Sequence, residues 1–258
     1  DVNGLLLGRA MSGMAAATWV PLVVLFSSQF PPEEAVKASS LLNLVGAASR
    51  VLATGVTGTL NGVGGYSLAF FVAAGAALLA VLVMLPSREA ERQPDRLAPQ
   101  RVLKLITRPE VLLPSILALV AQYANWGTTF SLNPILAKQL GATDVTLSLI
   151  LSMNALAIGL GSLAATMLAN KVGARPLVYT GFALLASGIA IVALTPWLWL
   201  LFAAQTIIGF SQGISYPVLM GLSIRYVDES QRTTAMGLHQ TVYAFGMFGG
   251  PALNGVIA

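Results

Sequence analysis

Apolar residues run along this chain in continuous stretches, broken by short polar segments rather than alternating with them. Eight stretches approach or exceed the roughly 20 residues a helix needs to cross the hydrocarbon of a bilayer. They lie at about 5–28, 38–60, 66–85, 111–138, 146–169, 177–195, 197–224 and 234–258. None has the two-residue alternation of a membrane strand. In lipid only a helix satisfies every backbone N–H and C=O within one segment. The pattern predicts an all-α membrane protein, a polytopic helical bundle with eight spans.

Composition agrees: 56% of residues are hydrophobic and 9% charged, against about 25% charged in soluble domains. The formal net charge of +4 carries no nucleic-acid signal, because the basic residues sit mostly in loops. Eleven of the 14 basic residues fall in loops on one side, and the loops at 61–65, 139–145 and 195–196 hold none. That side is predicted to be cytoplasmic, so the first span runs inward. The longest loop, 86–110, is rich in proline and charge and reads as a cytoplasmic linker. It divides the end of an N-terminal bundle (1–85, three spans) from a C-terminal bundle (111–258, five spans). Within it "RVLKLIT" reads equally as a surface helix or a solvated tether. Residue 1 is Asp and the last residues stop inside an apolar run, so the expectation is a fragment of a longer protein. There is no cysteine, which excludes thiolate metal sites and cysteine nucleophiles.

Polar residues inside the spans are the candidates for chemistry. Gln122 and Asn125, three apart, share one helix face, beside Tyr123 and Trp126. Amides in hydrocarbon are costly unless they meet a partner or a water-filled cavity. Either they line a cavity or they tie helices together. Gly127 and Asn133-Pro134 are expected to bend or unwind the outer half of that span. Span 197–224 is similar, with Gln205, Gln212, Ser215 and Tyr216. His239, the sole histidine, reads more readily as a hydrogen-bonded structural residue than as a titrating one. Arg50 lies 12 residues after Ala38, roughly 18 Å along its helix and near mid-membrane. No Asp or Glu sits deep in any span. Arg50 faces an anionic solute, a carboxylate elsewhere, or a helix carbonyl end.

"GRAMSGMAAATWVP" at Gly8–Pro21 is echoed by "AQTIIGFSQGISYP" at Ala204–Pro217, at an offset of 196. Gln205 falls on Arg9, Gly209 on Gly13 and Pro217 on Pro21. "TLNG" at 59–62 and "ALNG" at 252–255 form a second echo. With these repeats the chain resembles the major facilitator superfamily of secondary transporters, most closely its drug or metabolite:proton antiporter branch. The resemblance implies two pseudo-repeated six-helix halves, with helices four to eleven present here. It implies the fourth-helix antiporter motif at Leu5, Arg9, Gly13, Ala16 and Ala17, with Ser12 in place of glutamine and Arg9 as the proton-coupling residue. It places the cytoplasmic loop motif at "TMLANKVGARP": Gly173 and Arg175 match, while Asn170, Lys171 and Thr166 replace aspartate, arginine and glycine. Val56 stands where the fifth-helix antiporter motif has proline; the eleventh helix carries Gly250-Pro251.

The expected function is a secondary active transporter of a small organic solute working by alternating access, with proton-coupled efflux as the leading form. Uptake of an organic anion or sugar, with Arg50 as counter-charge, is the alternative; a transporter-like sensor is a third. An enzyme is disfavoured because the spans offer one histidine and no deep acid. The candidate cavity comprises Arg50, Gln122, Tyr123, Asn125, Gln212 and Tyr216. The expected partners are a small-molecule substrate, protons and the bilayer of the cell (inner) membrane, with no cofactor, metal or nucleic acid. The full-length protein is expected to be monomeric.

Overall fold

A computed structural model describes residues 2–27, 29–85, 105 and 107–257 of the chain. These residues form helices, with no strand among them. The helices are α1 (Val2–Ala16), α2 (Trp19–Ser27), α3 (Ala35–Met84), α4 (Pro109–Trp126), α5 (Asn133–Gln139), α6 (Asp144–Val172), α7 (Ala174–Leu194), α8 (Leu198–Arg225) and α9 (Glu229–Ile257). A π-helical segment, Gly127–Leu132, joins α4 to α5.

Among the described residues four helices are long and apolar enough to cross a membrane: α3 over Lys37–Met84, α6, α7 and α8. The sequence pattern predicts eight spans, and the differences have local causes. Pro21 has no N–H for the Ala17 carbonyl, and the stretch 5–28 breaks between α1 and α2. The stretches 38–60 and 66–85 fall in one 50-residue element. At that length α3 would measure about 75 Å, more than twice the ~30 Å hydrocarbon. It is interrupted at Gly64–Gly65, where Gly65 has φ 67°, a conformation glycine adopts without a Cβ clash. The stretch 234–258 lies in α9, whose polar residues, Arg232, His239 and Gln240 among them, lower its hydropathy. The linker 86–110 lies mostly outside the described residues. Leu105 within it is buried against Val111, Met220 and Ile224.

The stretch 111–138 is helical throughout but changes its winding. Pro134 offers no hydrogen bond and its ring would strike the carbonyl four residues back. The turn before it widens instead, with the Asn133 N–H bonding to the Thr128 carbonyl, five residues back. The expected bend is thus a widened turn rather than unwinding, and such π segments recur at functional positions.

Close glycine contacts set the helix directions. A Cβ at Gly209 would strike the Asn154 carbonyl, and one at Gly213 the Ile158 carbonyl. Both contacts advance by four residues together, so α6 and α8 run parallel. Gly246 against Leu119 and Gly250 against Tyr123 repeat the arrangement between α9 and α4. These are small-residue seams that let two backbones approach. Between α3 and α6 the order reverses: Asn43 bonds Ser162 at 2.7 Å and Thr54 bonds Ser152 at 2.8 Å. Those two helices are antiparallel, as α7 and α8 are by Gly181 on Ser215 and Gly188 on Ile208. The directions agree with helices that alternate across a bilayer. α3 packs on both α6 and α8, whereas α1 makes no extensive contact with any other element.

Pro217 shows how a break is repaired. It has no N–H for the Gly213 carbonyl, which instead accepts from the Ser162 hydroxyl at 3.2 Å. Ser162 in turn accepts from Asn43, so one freed carbonyl joins α8, α6 and α3.

Candidate functional site

One face of α4 carries Ser115, Ala118, Gln122 and Asn125, all buried, and Thr129 continues it into the π segment. The spacing of three and four residues keeps them in one stripe. Across from it α8 presents Ser211, Gln212, Ser215 and Tyr216. The two faces, with Leu185 of α7, enclose a narrow cavity. Its free space is about 10 Å³, about the least that holds one water. Gln122 lines it, and its Oε1 is buried without a hydrogen-bond partner among the described residues.

Four of the six predicted cavity residues line this space: Gln122, Asn125, Gln212 and Tyr216. Tyr123 does not. One residue on from Gln122 is about 100° around the helix, and this turns Tyr123 out, 37% exposed, with its ring 3.6 Å from where a Cβ of Gly249 would lie. Arg50 is not a lining residue either. It is an exposed residue of α3 whose guanidinium interacts electrostatically with Tyr216.

Deeper towards α6 is a polar knot. Gln205 is 0% exposed. Its Oε1 accepts from Thr129 Oγ1 at 3.0 Å and from Asn154 Nδ2 at 3.2 Å. Asn154 Nδ2 also donates to the Gln205 main-chain carbonyl at 2.9 Å, and Thr129 Oγ1 lies 3.3 Å from Asn125 Oδ1. Three helices of the bundle, α4 with its π segment, α6 and α8, meet in this knot. Reading the sequence for polar residues found Gln205 but passed over Asn154 and Thr129. Asn154 had a signal: it is an amide near the middle of an otherwise apolar stretch, and such a group needs a partner.

On the other side of the cavity a chain of hydroxyls leads to α9. Tyr216 donates to Tyr243 at 3.1 Å, and Tyr243 donates to Gln240 Oε1 at 3.0 Å. The Tyr216 and Tyr243 rings meet edge to face at 5.6 Å. Trp19 of α2 and Tyr216 pack against the same apolar cluster, around Met220 and Met236. His239 is fully buried, with Nδ1 3.1 Å from Ser115 Oγ and its ring edge-on to Tyr243. That is the structural role its position suggested.

The motif residues are dispersed. Arg9 and Gly13 lie on α1, both exposed, and a Cβ at Gly13 would meet nothing within 4 Å. Asn170, Lys171 and Arg175 are exposed at the α6–α7 turn. That turn consists of Gly173 alone, with φ 82°, where other residues are strained. On α9 a Cβ at Gly250 would lie 2.8 Å from the Gly127 nitrogen at the start of the π segment. Pro251, next in line, leaves α9 continuous to Ile257.

The family model of the Major Facilitator Superfamily matches residues 2–122 and 115–258. The chain belongs to the major facilitator superfamily. No curated protein matches it. Members of the superfamily are transporters rather than enzymes, and membership makes the protein a secondary transporter that handles small molecules within a membrane. It also accounts for the composition: an integral, multi-pass membrane protein needs few charges because lipid covers most of its outer face. The exposed apolar residues of α3, Leu52, Phe70, Phe71 and Leu78 among them, fit such a surface.

Proposed function

We propose that this superfamily member moves a small organic solute through the space between α4, α7 and α8 by alternating access, exporting it in exchange for protons. The observation that carries the reading is the narrow cavity faced by Gln122, Asn125, Gln212 and Tyr216. Amides orient a solute through both donors and acceptors, and a cavity with room for about one water is a closed stage of a site that opens when helices part. The small-residue seams α4–α9 and α6–α8 favour such movement, because glycine faces slide with little side-chain interlocking. The linker 86–110 joins two bundles in this reading, with eight crossings in the chain and the turn at Gly64–Gly65 separating two of them.

Arg9 is the proposed proton-coupling residue. The resemblance to the antiporter motif supports it, as does its standing on α1 outside the ion pairs of the described residues, Lys37–Glu34 and Lys138–Asp144. Asn170, Lys171, Gly173 and Arg175 are proposed to hold the α6–α7 turn on the cytoplasmic side of the cell membrane.

The test uses everted membrane vesicles containing the full-length protein, acidified inside, to which candidate solutes are added. Collapse of the pH gradient by a solute, abolished in Arg9→Ala while the protein stays in the membrane, supports the reading. A gradient that no solute collapses overturns proton-coupled efflux.

A further inference from the structure

A groove opens where α4 and α7 begin and α8 ends, beside the α6–α7 turn. We infer that it binds a phospholipid with an anionic headgroup. The phosphate is held at a rim made by Arg175 and Arg225, and one acyl chain lies along the apolar wall behind them. Such a site is independent of how solutes move; it needs only that the helices stand in a bilayer.

The groove encloses about 560 Å³, within the ~300–1,000 Å³ usual for small-molecule sites. Each helix that walls it is charged at the rim and apolar deeper in. α4 contributes Glu110 at its start, then Leu113 and Leu117 on the same face. α7 contributes Arg175, then Val178. α8 runs the other way, so Leu222 comes first and Arg225 stands at its end. From Pro109 to Leu117 the rise is about 12 Å, most of the ~15 Å depth of one leaflet's hydrocarbon. The groove therefore has the shape of an amphiphile, with a charged mouth and an apolar body.

The charge at the mouth selects the headgroup. A second cavity, about 520 Å³ and lined by Arg108, Glu110 and Tyr226, shares Glu110 and Tyr226 with the groove. Together the two are lined by the arginines Arg108, Arg175 and Arg225 and by one carboxylate, that of Glu110. The Arg225 guanidinium carbon lies 5.4 Å from the centre of the Tyr226 ring, within cation–π range, and this holds the arginine at the mouth. A guanidinium offers paired N–H donors that match a phosphate.

The wall selects the rest of the molecule. A soluble anion would use the rim and leave Leu113, Leu117, Val178 and Leu222 without a partner of their own kind. A phospholipid fills both parts. The proposed cytoplasmic placement of the α6–α7 turn puts the rim at the leaflet where anionic lipids collect, and basic pockets between helices on that side suit their headgroups. The linker 86–104 of this chain is a poorer occupant. It carries five basic and three acidic residues, so its net charge has the sign of the rim. Leu105, next along, packs against Val111, Met220 and Ile224, none of which lines the groove.

The test is native mass spectrometry of the full-length protein in a neutral detergent, titrated with phosphatidylglycerol or with phosphatidylcholine of the same acyl chains. Phosphatidylglycerol is expected to bind in preference. In Arg175→Gln/Arg225→Gln its affinity is expected to fall roughly 10- to 100-fold, the contribution of two basic residues at an anionic membrane surface. Both arginines are exposed, so the fold does not depend on them, and Arg175→Lys/Arg225→Lys is expected to restore most of the affinity. Lys138→Gln, which removes an exposed cation paired with Asp144, is expected to keep the wild-type affinity. Equal binding of the two lipids by the wild-type protein, or unchanged phosphatidylglycerol binding in the double glutamine variant, overturns the proposal. Competition by soluble glycerol phosphate at the concentration of the lipid also overturns it, leaving an anion site without a chain. Displacement of the lipid by a peptide of residues 86–104 overturns it in favour of the linker. None of these outcomes touches the transporter reading.

Discussion

At the scale of single residues, the buried amides divide by what they bond. Gln205 is a tie: its side-chain oxygen collects donors from Thr129 and Asn154, and nothing of its oxygen is left for a solute. The Gln122 Oε1 differs: it is buried and has no donor among the described residues. The two were indistinguishable in the sequence, where each is an amide in an apolar stretch. Gln205→Leu is therefore expected to lower the thermal stability of the purified protein by roughly 1–3 kcal/mol, because Asn154 loses a partner and Thr129 is left to Asn125. Gln122→Leu is expected to leave stability unchanged or raised, since it removes an unsatisfied buried group. Thermal unfolding of both variants in detergent checks this; equal losses would make the two amides equivalent ties.

At the scale of elements, the seams matter more than the hydrophobic stretches. α6 and α8 approach so closely that a Cβ at Gly213 would lie on the Ile158 carbonyl and 2.9 Å from the Gly161 Cα. Neither neighbour is a flexible side chain, so the backbones themselves must move apart. Gly213→Ala is expected to destabilise by about 1–3 kcal/mol, the usual cost of overpacking. Gly13→Ala is the comparison: nothing lies within 4 Å of its Cβ position, and alanine favours the helix by up to about 1 kcal/mol. The fraction of each variant that survives heating as a monodisperse species decides between them. Loss of Gly13→Ala with survival of Gly213→Ala would reverse the assignment of which glycine is a packing residue. The echo of Gly13 by Gly209 at an offset of 196 gave no hint that Gly209 faces the Asn154 carbonyl while Gly13 faces nothing, because spacing does not say what stands opposite.

At the scale of the molecule, α3 is the element that reaches across. It bonds α6 through Asn43–Ser162 and Thr54–Ser152 and packs on α8. The proposed alternating access requires this interface to change. These 258 residues contain no cysteine, so Thr54→Cys with Ser152→Cys adds a pair with no background from this region. Their hydroxyls are 2.8 Å apart, within the reach of a disulfide. Oxidation is expected to form the bond and to stop transport, and reduction to restore it. Full transport by the cross-linked protein would show that α3 and α6 move as one body.

The sequence by itself determined that this is a helical membrane protein and which family it belongs to, because apolar length, charge placement and repeated motif spacing are local properties that survive any arrangement of the helices. It also determined that Gln122, Asn125, Gln212 and Tyr216 were worth watching, since an uncompensated polar group in an apolar run is costly wherever the run ends up. Only the tertiary structure decided which of them meet. The turn of the helix put Tyr123 outside while its neighbour Gln122 lines the cavity, and Asn154 became a partner of Gln205 only because two glycines on α8 let α6 come close. The break at Gly64–Gly65 within α3 and the splitting of 111–138 by a π turn were likewise decided by backbone conformation at Gly65 and Pro134, which hydropathy does not register. Partnership is a property of pairs, and pairs distant along the chain become visible only once the helices are packed.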